Sequence, residues 1–214
     1  MRGVLCYDIY QMSSKPKTFI LTGRSGCGKG TQAKIIERLL LAGDPNGKVF
    51  HLETGARFRE FVKGDSFSSK LAKKINEVGS RQPDFLAVWN WAHLMVEELQ
   101  GPEHIIIDGT PRSYEEAVVL DTAMTFYERE KPYVIYIDVS RQWSKTRILE
   151  RASHESRKDD QSEEEINRRL DWFETDVLQA VKYFEQSNGY RFIHVNGEQS
   201  IEKVAEDIQK AIVG

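Results

Sequence analysis

Short apolar runs alternate with longer stretches of helical periodicity along most of the chain. The runs that are short enough and rich enough in β-branched or aromatic residues to be strands are 18–22, 49–52, 104–108, 133–139 and 191–195. Those at 104–108 and 133–139 are almost continuously apolar, which is typical of parallel strands buried on both faces. The alternation of strands and helices predicts an α/β fold, a parallel sheet with helices on both faces.

Between these runs, apolar residues recur at intervals of three and four, the spacing of an amphipathic helix. We expect helices at residues 31–41, 56–63, 70–78, 85–99, 114–129, 141–151, 163–186 and 201–212. Ser68 or Ser69 is expected to cap the third of these helices, and Ser113 the fifth. Two short helices in succession after the second strand predict a small lobe outside the sheet.

The pattern predicts one domain over residues 17–214, after an N-terminal extension at residues 1–16. Its core is expected at residues 17–50, 80–151 and 161–214. The small lobe is expected at residues 51–79, and a short polar loop at residues 152–160. The extension is either flexible or contributes an edge strand or an interface through residues 4–10.

Composition and charge limit the classes of function. The chain has 214 residues, 29% charged and 40% hydrophobic, as is usual for a globular protein. Its net charge of −3 gives no support for nucleic acid or a membrane surface as a partner. No apolar run is long enough to span a membrane, the two cysteines form no C-x-x-C pair, and no secretory signal is evident. We therefore expect a cytoplasmic protein.

The most specific motif is the glycine-rich segment Gly23-Arg-Ser-Gly-Cys-Gly-Lys-Gly-Thr31, called the phosphate loop below. It lies between the first predicted strand and the first predicted helix. Its glycines allow several backbone N–H groups to point at one anion, and the helix N-terminus adds its positive end. Lys29 supplies a mobile positive charge for the outer phosphates. The motif predicts binding of a nucleoside triphosphate.

Arginines follow strand ends and flank the polar loop. Arg59 lies in the small lobe, and Arg112 follows the strand that ends at Asp108. The remaining arginines of interest flank or lie in the polar loop: Arg147, Arg151, Arg157 and Arg169. Any single one is compatible with a solvated surface charge, but phosphoryl transfer depends on positioning and on positive charge around the moving group. Asp108 is either an acid that holds Mg²⁺ through water, or a helix cap or strand-end hydrogen-bonding residue.

The chain resembles the adenylate kinase family of nucleoside monophosphate kinases, and the resemblance covers about residues 17–213. The motifs occur in the family's order: residues 23–32 (family G-x-P-G-x-G-K-G-T-Q), 54–59 (T-G-D-M-L-R), 108–112 (D-G-F-P-R), and Arg157-Lys-Asp-Asp160 followed by Arg168-Arg169-Leu170. The resemblance implies a three-layer P-loop NTPase fold with a small lobe for the nucleoside monophosphate and a short lid at residues 152–160.

The resemblance also implies which residues bind each nucleotide. ATP would be bound by Ser25, Gly26, Cys27, Gly28, Lys29, Gly30, Thr31, Arg147 and Gln199. The monophosphate would be bound by Thr54, Gly55, Arg59, Gly109, Arg112 and Glu116. Lys29, Arg112, Arg151, Arg157 and Arg169 would be catalytic, while Thr31 and Asp108 would hold Mg²⁺, largely through water.

The implied reaction is direct in-line phosphoryl transfer in a monomer, ATP + AMP giving two ADP, with Mg²⁺ as cofactor. One alternative is a P-loop kinase that acts on a hydroxyl acceptor of a small molecule, with Asp108 as general base. Another is a nucleotide-binding protein that has lost turnover.

Several positions depart from the family pattern. Ser25 replaces a proline, Ala56 an acid and Thr110 a phenylalanine. Glu116 stands where the family's glutamine reads the acceptor base. A glutamine amide both donates and accepts, whereas an ionised glutamate only accepts and suits the two N–H donors of guanine better. GMP or another monophosphate is therefore an alternative acceptor, unless Glu116 is simply a first-turn acid favoured by the helix dipole.

Overall fold

The computed structural model describes residues 16–152 and 162–213. Within them, the strands form one parallel sheet in the order β2-β3-β1-β4-β5. The strands are β1 Thr18–Thr22, β2 Val49–Glu53, β3 His104–Asp108, β4 Tyr133–Asp138 and β5 Arg191–Asn196. Each lies within one residue of its predicted bounds, and the α/β fold class is confirmed.

Helices cover both faces of this sheet. They are α1 Lys29–Gly43, α2 Thr54–Phe61, α3 Phe67–Glu77, α4 Asp84–Glu98, α5 Tyr114–Phe126, α6 Arg141–Ala152, α7 Glu163–Trp172, α8 Leu178–Glu185 and α9 Ile201–Val213. Within the described ranges, no helix is both long and apolar enough to cross a membrane.

Three details of the predicted helices are wrong. The cap of α3 is Ser66, whose Oγ accepts from the Ser69 N–H at 3.0 Å, so Ser68 and Ser69 lie inside the helix. Helix α5 stops at Phe126 because Glu128 adopts a left-handed conformation (φ 52°), and the Arg129 N–H then closes the helix end on the Met124 carbonyl.

The third correction concerns the long helix predicted at 163–186. A π-helical turn, Phe173–Val177, separates α7 from α8, and the helical stretch ends at Glu185. The predicted Ser113 cap of α5 is confirmed, since its Oγ accepts from the Glu116 N–H at 3.1 Å.

The core consists of two apolar layers separated by the sheet. Successive strand residues point to opposite faces, so Phe19 and Leu21 pack against α1 and α9, whereas Ile20 packs against α4, α5 and α8. Full burial of each such side chain contributes roughly 1.5–3 kcal/mol. This arrangement is the predicted three-layer architecture.

The order of the strands determines where a ligand fits. β1 lies between β3 on one side and β4 on the other, so the order of the strands reverses at β1. The phosphate loop follows the carboxyl end of β1. In open parallel sheets, ligands bind at such a reversal of strand order. Arg157 and nearly all of the predicted lid lie outside the described residues, as do residues 1–15, and the division into core, lobe and lid stays a prediction.

Candidate active site

The phosphate loop is shaped by its glycines. Gly28, the residue that precedes α1, has a left-handed conformation (φ 98°). At Gly23 (φ 146°) a Cβ atom would lie 2.4 Å from the Ile137 carbonyl oxygen, so only glycine lets the loop approach β4 this closely. The loop therefore turns back over the sheet and leads into the N-terminus of α1, as a phosphate-binding turn requires.

Lys29 holds the loop together from inside. Its ammonium donates to the carbonyl oxygens of Gly23 at 2.7 Å and Arg24 at 2.9 Å, and lies 3.6 Å from the sulfur of the buried Cys27. A phosphate oxygen is a stronger acceptor than a carbonyl. The same ammonium can therefore bind an anion placed over the loop.

Ser25 connects the loop to two helices that the chain reaches much later. Its carbonyl accepts from Ser144 Oγ of α6 at 2.7 Å, and its hydroxyl accepts from the Arg169 guanidinium of α7. The structure thus brings the predicted residues Ser25 and Arg169 together. A proline at position 25 would offer no hydroxyl to Arg169.

Arg59 and Arg112 converge on one side of the cleft. A Cβ atom at Gly55 would lie 3.3 Å from Arg112 Nη2 and 3.4 Å from Arg59 Nη1, so both guanidinium groups lie against this glycine. Arg112 is oriented by its Nε, which donates to the Gly109 carbonyl at 2.8 Å. Two adjacent guanidinium groups match the oxygens of a phosphate group.

The turn that carries Gly55 is held by buried hydrogen bonds. Thr54 Oγ1 donates to the Asp108 carbonyl at 3.1 Å, and Asn90 Nδ2 of α4 donates to the Thr54 carbonyl at 3.0 Å. The sequence reasoning missed Asn90. A lone buried asparagine on an apolar helix has no periodic or motif signal, and only its contact reveals its role.

Asp108 lies beside the phosphate loop. Its Oδ2 is 3.1 Å from the position that a Cβ atom at Gly30 would occupy, and Thr31 follows in the first turn of α1. A carboxylate and a hydroxyl are oxygen ligands of the kind that Mg²⁺ prefers. The described residues contain no cluster of three or more metal-binding His, Cys, Asp or Glu side chains. The donor set fits an ion bound mainly by phosphate oxygens and water, which is usual for Mg²⁺.

Glu116 is almost fully buried, with 2% of its surface exposed. Its carboxyl lies 3.5 Å from the Thr110 hydroxyl and accepts a hydrogen bond from the Arg112 backbone. Burial raises the pKa of Glu116 above its ordinary value, although the positive charges of Arg112 and Arg81 oppose the rise. The negative charge of Asp84 adds to it. The neutral form of Glu116 is therefore favoured more than that of an exposed glutamate.

Two further arginines join the end of the small lobe to the α7 region. Arg168 of α7 donates to the Val78 carbonyl at 3.1 Å, and its guanidinium occupies the space that a side chain at Gly79 would need. Arg81 pairs with Asp176 of the π turn at 3.3 Å. Arg81 was not among the predicted site residues, because Asp176 lies far along the chain, and Arg168 was predicted only as part of the motif Arg168-Arg169-Leu170, with no role of its own.

On the other side of the loop, Arg147 lies with its guanidinium 5.5 Å from the Trp143 ring centroid and pairs with Glu150 at 3.1 Å. These residues line a shallow pocket of about 370 Å³ together with Ser140 and Glu198. Gln199 instead donates to the Asn196 carbonyl and to Asp207. Arg151 follows Arg147 by one helical turn and so shares its helix face.

A family model and several known proteins that match this chain all carry the same description. The family model described as "Adenylate kinase" matches residues 21–189. The chain is similar to an adenylate kinase of Campylobacter curvus, with 32% identity over 92% of this chain and 97% of the relative. It is 31% identical to one of Leptospira biflexa over 92% of this chain and 100% of the relative. It is 28% identical to one of Flavobacterium psychrophilum over 90% of this chain and 96% of the relative.

Proposed function

Because the chain belongs to the adenylate kinase family, we propose that it transfers the γ-phosphoryl group of ATP to AMP and forms two molecules of ADP. The observation that carries this proposal is the pair Arg59 and Arg112, which meet at Gly55 across the cleft from the phosphate loop. A kinase with a hydroxyl acceptor would not need two guanidinium groups at the acceptor position.

The residues divide into a donor side and an acceptor side. On the donor side, Lys29 and the N–H groups of the phosphate loop hold the phosphates of ATP, and Arg147 lies against its base. On the acceptor side, the monophosphate is bound by Thr54, Gly55, Arg59, Gly109 and Arg112. Arg151 and Arg169, with Arg157 of the predicted lid, surround the transferring group with positive charge. Such positioning and charge provide most of the catalysis in phosphoryl transfer.

We propose that Mg²⁺ binds between the two sides, where Asp108 and Thr31 would hold it largely through water. When bound, the ion neutralises charge on the phosphate oxygens. The protein residues contribute orientation, since Asp108 lies at the end of a buried strand and Thr31 in the first turn of α1.

The burial of Glu116 raises its pKa, and AMP is the acceptor that a neutral Glu116 would fit. A neutral carboxylic acid has one O–H donor and one carbonyl acceptor, the same pair that a glutamine amide offers. It can donate to adenine N1 and accept from the adenine amino group. An ionised Glu116 would instead favour guanine, so the protonation state of this residue decides between the two acceptors.

The experiment is a panel of monophosphates at fixed ATP and Mg²⁺. ADP formation with AMP should greatly exceed turnover with GMP, CMP and UMP. Glu116→Gln should keep the preference for AMP, and the exposed neighbour Glu115→Gln serves as a matched control. GMP turnover above AMP turnover would reverse the acceptor assignment. ATP binding without turnover of any monophosphate would favour the nucleotide-binding protein.

A cytoplasmic location and a monomeric state stay predictions from the sequence. Sedimentation of the purified protein would test the monomer directly, because a dimer would double the expected mass.

A further inference from the structure

Arg24, the second residue of the phosphate loop, has no part in the function proposed above. Only 15% of its side chain is exposed, although it belongs to a glycine-rich loop. Its Nη1 donates to the Val139 carbonyl at 2.8 Å, and its Nη2 lies 3.4 Å from Glu174 Oε1. The guanidinium also stacks 4.5 Å above the Phe173 ring. A solvated surface arginine would not make this set of contacts.

The partners of Arg24 belong to two elements. Val139 follows β4, while Phe173 and Glu174 begin the π turn after α7. The Phe173 N–H donates to the Arg169 and Leu170 carbonyls, so the π turn continues the helical turn that carries Arg169. π-Helical turns inside helices often occur at functional sites.

Two consecutive loop residues are therefore held by one helical unit. Ser25 accepts from Arg169, and Arg24 is bound by Phe173 and Glu174 about one turn later. The carbonyl of Arg24 in turn accepts from the Lys29 ammonium. A continuous chain of contacts links Lys29, the loop and Arg169.

We propose that Arg24 is a positioning residue, which fastens the phosphate loop to the π turn and so fixes the distance between Lys29 and Arg169. This inference rests on the proposed kinase function. Phosphoryl transfer depends steeply on alignment, and a displacement of about 1 Å can cost about 100-fold in rate. The hydrogen bond to the Val139 carbonyl is partly buried, which makes it stronger than an exposed one, whereas the bond to Glu174 is exposed and contributes less. The cation–π contact with Phe173 adds to both.

The test is Arg24→Met, which keeps an unbranched side chain over Phe173 but removes the charge and the donors. We expect kcat to fall about 10- to 100-fold, while KM for AMP changes less than about twofold. Arg24→Lys retains the charge but not the planar guanidinium with its several donors, and its kcat should fall less than that of Arg24→Met. Arg38→Met, an exposed arginine of α1 that donates within its own helix, is the matched control.

A second measurement separates positioning from simple stabilisation of the fold. If Arg24 acts through Arg169, its substitution should change kcat by less than about twofold in an Arg169→Lys background, because the two losses are then not additive. If Arg24 had a purely structural role, its substitution would lower Tm and reduce kcat by the same factor in the wild-type and the Arg169→Lys backgrounds.

The outcomes distinguish this inference from the proposed function. A wild-type protein without turnover would overturn both. An active wild type with an equally active Arg24→Met variant would overturn the positioning role alone, as would additive losses in the double variant. If Arg24→Met does not fold, Arg24→Lys and Glu174→Gln give the same comparison, and unchanged kcat in both would overturn the inference.

Discussion

The donor side and the acceptor side of the cleft are built from different chemical groups. The phosphate loop offers backbone N–H groups and one lysine, and it is anchored to β4, α6 and α7. The proposed acceptor side depends on the side chains of Arg59 of α2 and of Arg112 and Glu116, which lie together at the start of α5. Most substitutions leave backbone N–H groups unchanged, and Ser25 in place of proline adds one, so the proposed donor side can tolerate this departure. On the proposed acceptor side, a single replacement would change which base is recognised.

The largest effect should come from substitution of Lys29, because the proposed donor site otherwise consists of backbone N–H groups. Lys29→Met removes both the charge that binds phosphate and the hydrogen bonds that hold the Gly23 and Arg24 carbonyls. We expect kcat/KM for ATP to fall about 10²- to 10³-fold in a coupled assay. Lys34→Met, on the exposed surface of the same helix, should stay within about twofold of wild type. Near-normal activity of Lys29→Met would remove the basis for the donor site.

Arg112→Met should weaken the binding of AMP and leave the binding of ATP unchanged. We expect KM for AMP to rise about 10- to 100-fold, because a charge-assisted hydrogen-bonding group is lost. ATP affinity, measured by calorimetry, should stay near the wild-type value. The matched control is Arg57→Met in the same lobe, since Arg57 is 54% exposed and lies 4.0 Å from Glu98. Equal losses of ATP and AMP binding by Arg112→Met would contradict the division into two sides.

The smallest effect concerns pH and Glu116. Since burial raises the pKa of this carboxyl in the folded protein above its ordinary value of 4.5, its contribution to stability is full at low pH. That contribution is lost as the pH rises through the folded-state pKa. Glu116→Gln does not ionise, so its stability relative to wild type should increase with pH over this interval. A difference of about 1 kcal/mol would shift Tm by about 2–4 °C in a domain of this size.

Thermal melts of wild type and Glu116→Gln from pH 4 upward would measure this difference. Glu115→Gln should show no comparable trend, because Glu115 is exposed. A constant Tm difference across the range would mean that Glu116 ionises normally, and the preference for adenine would then need another explanation.

The strands and the phosphate loop were predictable because their signals are local. A strand buried on both faces must be a continuous apolar run, and a phosphate-binding turn must have glycines followed by a lysine. The π turn was not predictable. Phe173, Val177 and Val181 keep the spacing of an ordinary helix, and together they pack in one apolar cluster. The extra residue in the turn is visible only in the backbone hydrogen bonds.

The sequence by itself determined the strands and the phosphate loop, since each depends on residues close together in the chain, and it offered the arginines only as candidates for phosphoryl transfer. Only the tertiary structure decided that Arg59 meets Arg112 at Gly55, that Ser25 accepts from Arg169, and that Glu116 is buried. Parallel strands are joined by long crossovers, so side chains that meet at their carboxyl ends are far apart in sequence. Burial, and the pKa that follows from it, depends on these distant neighbours.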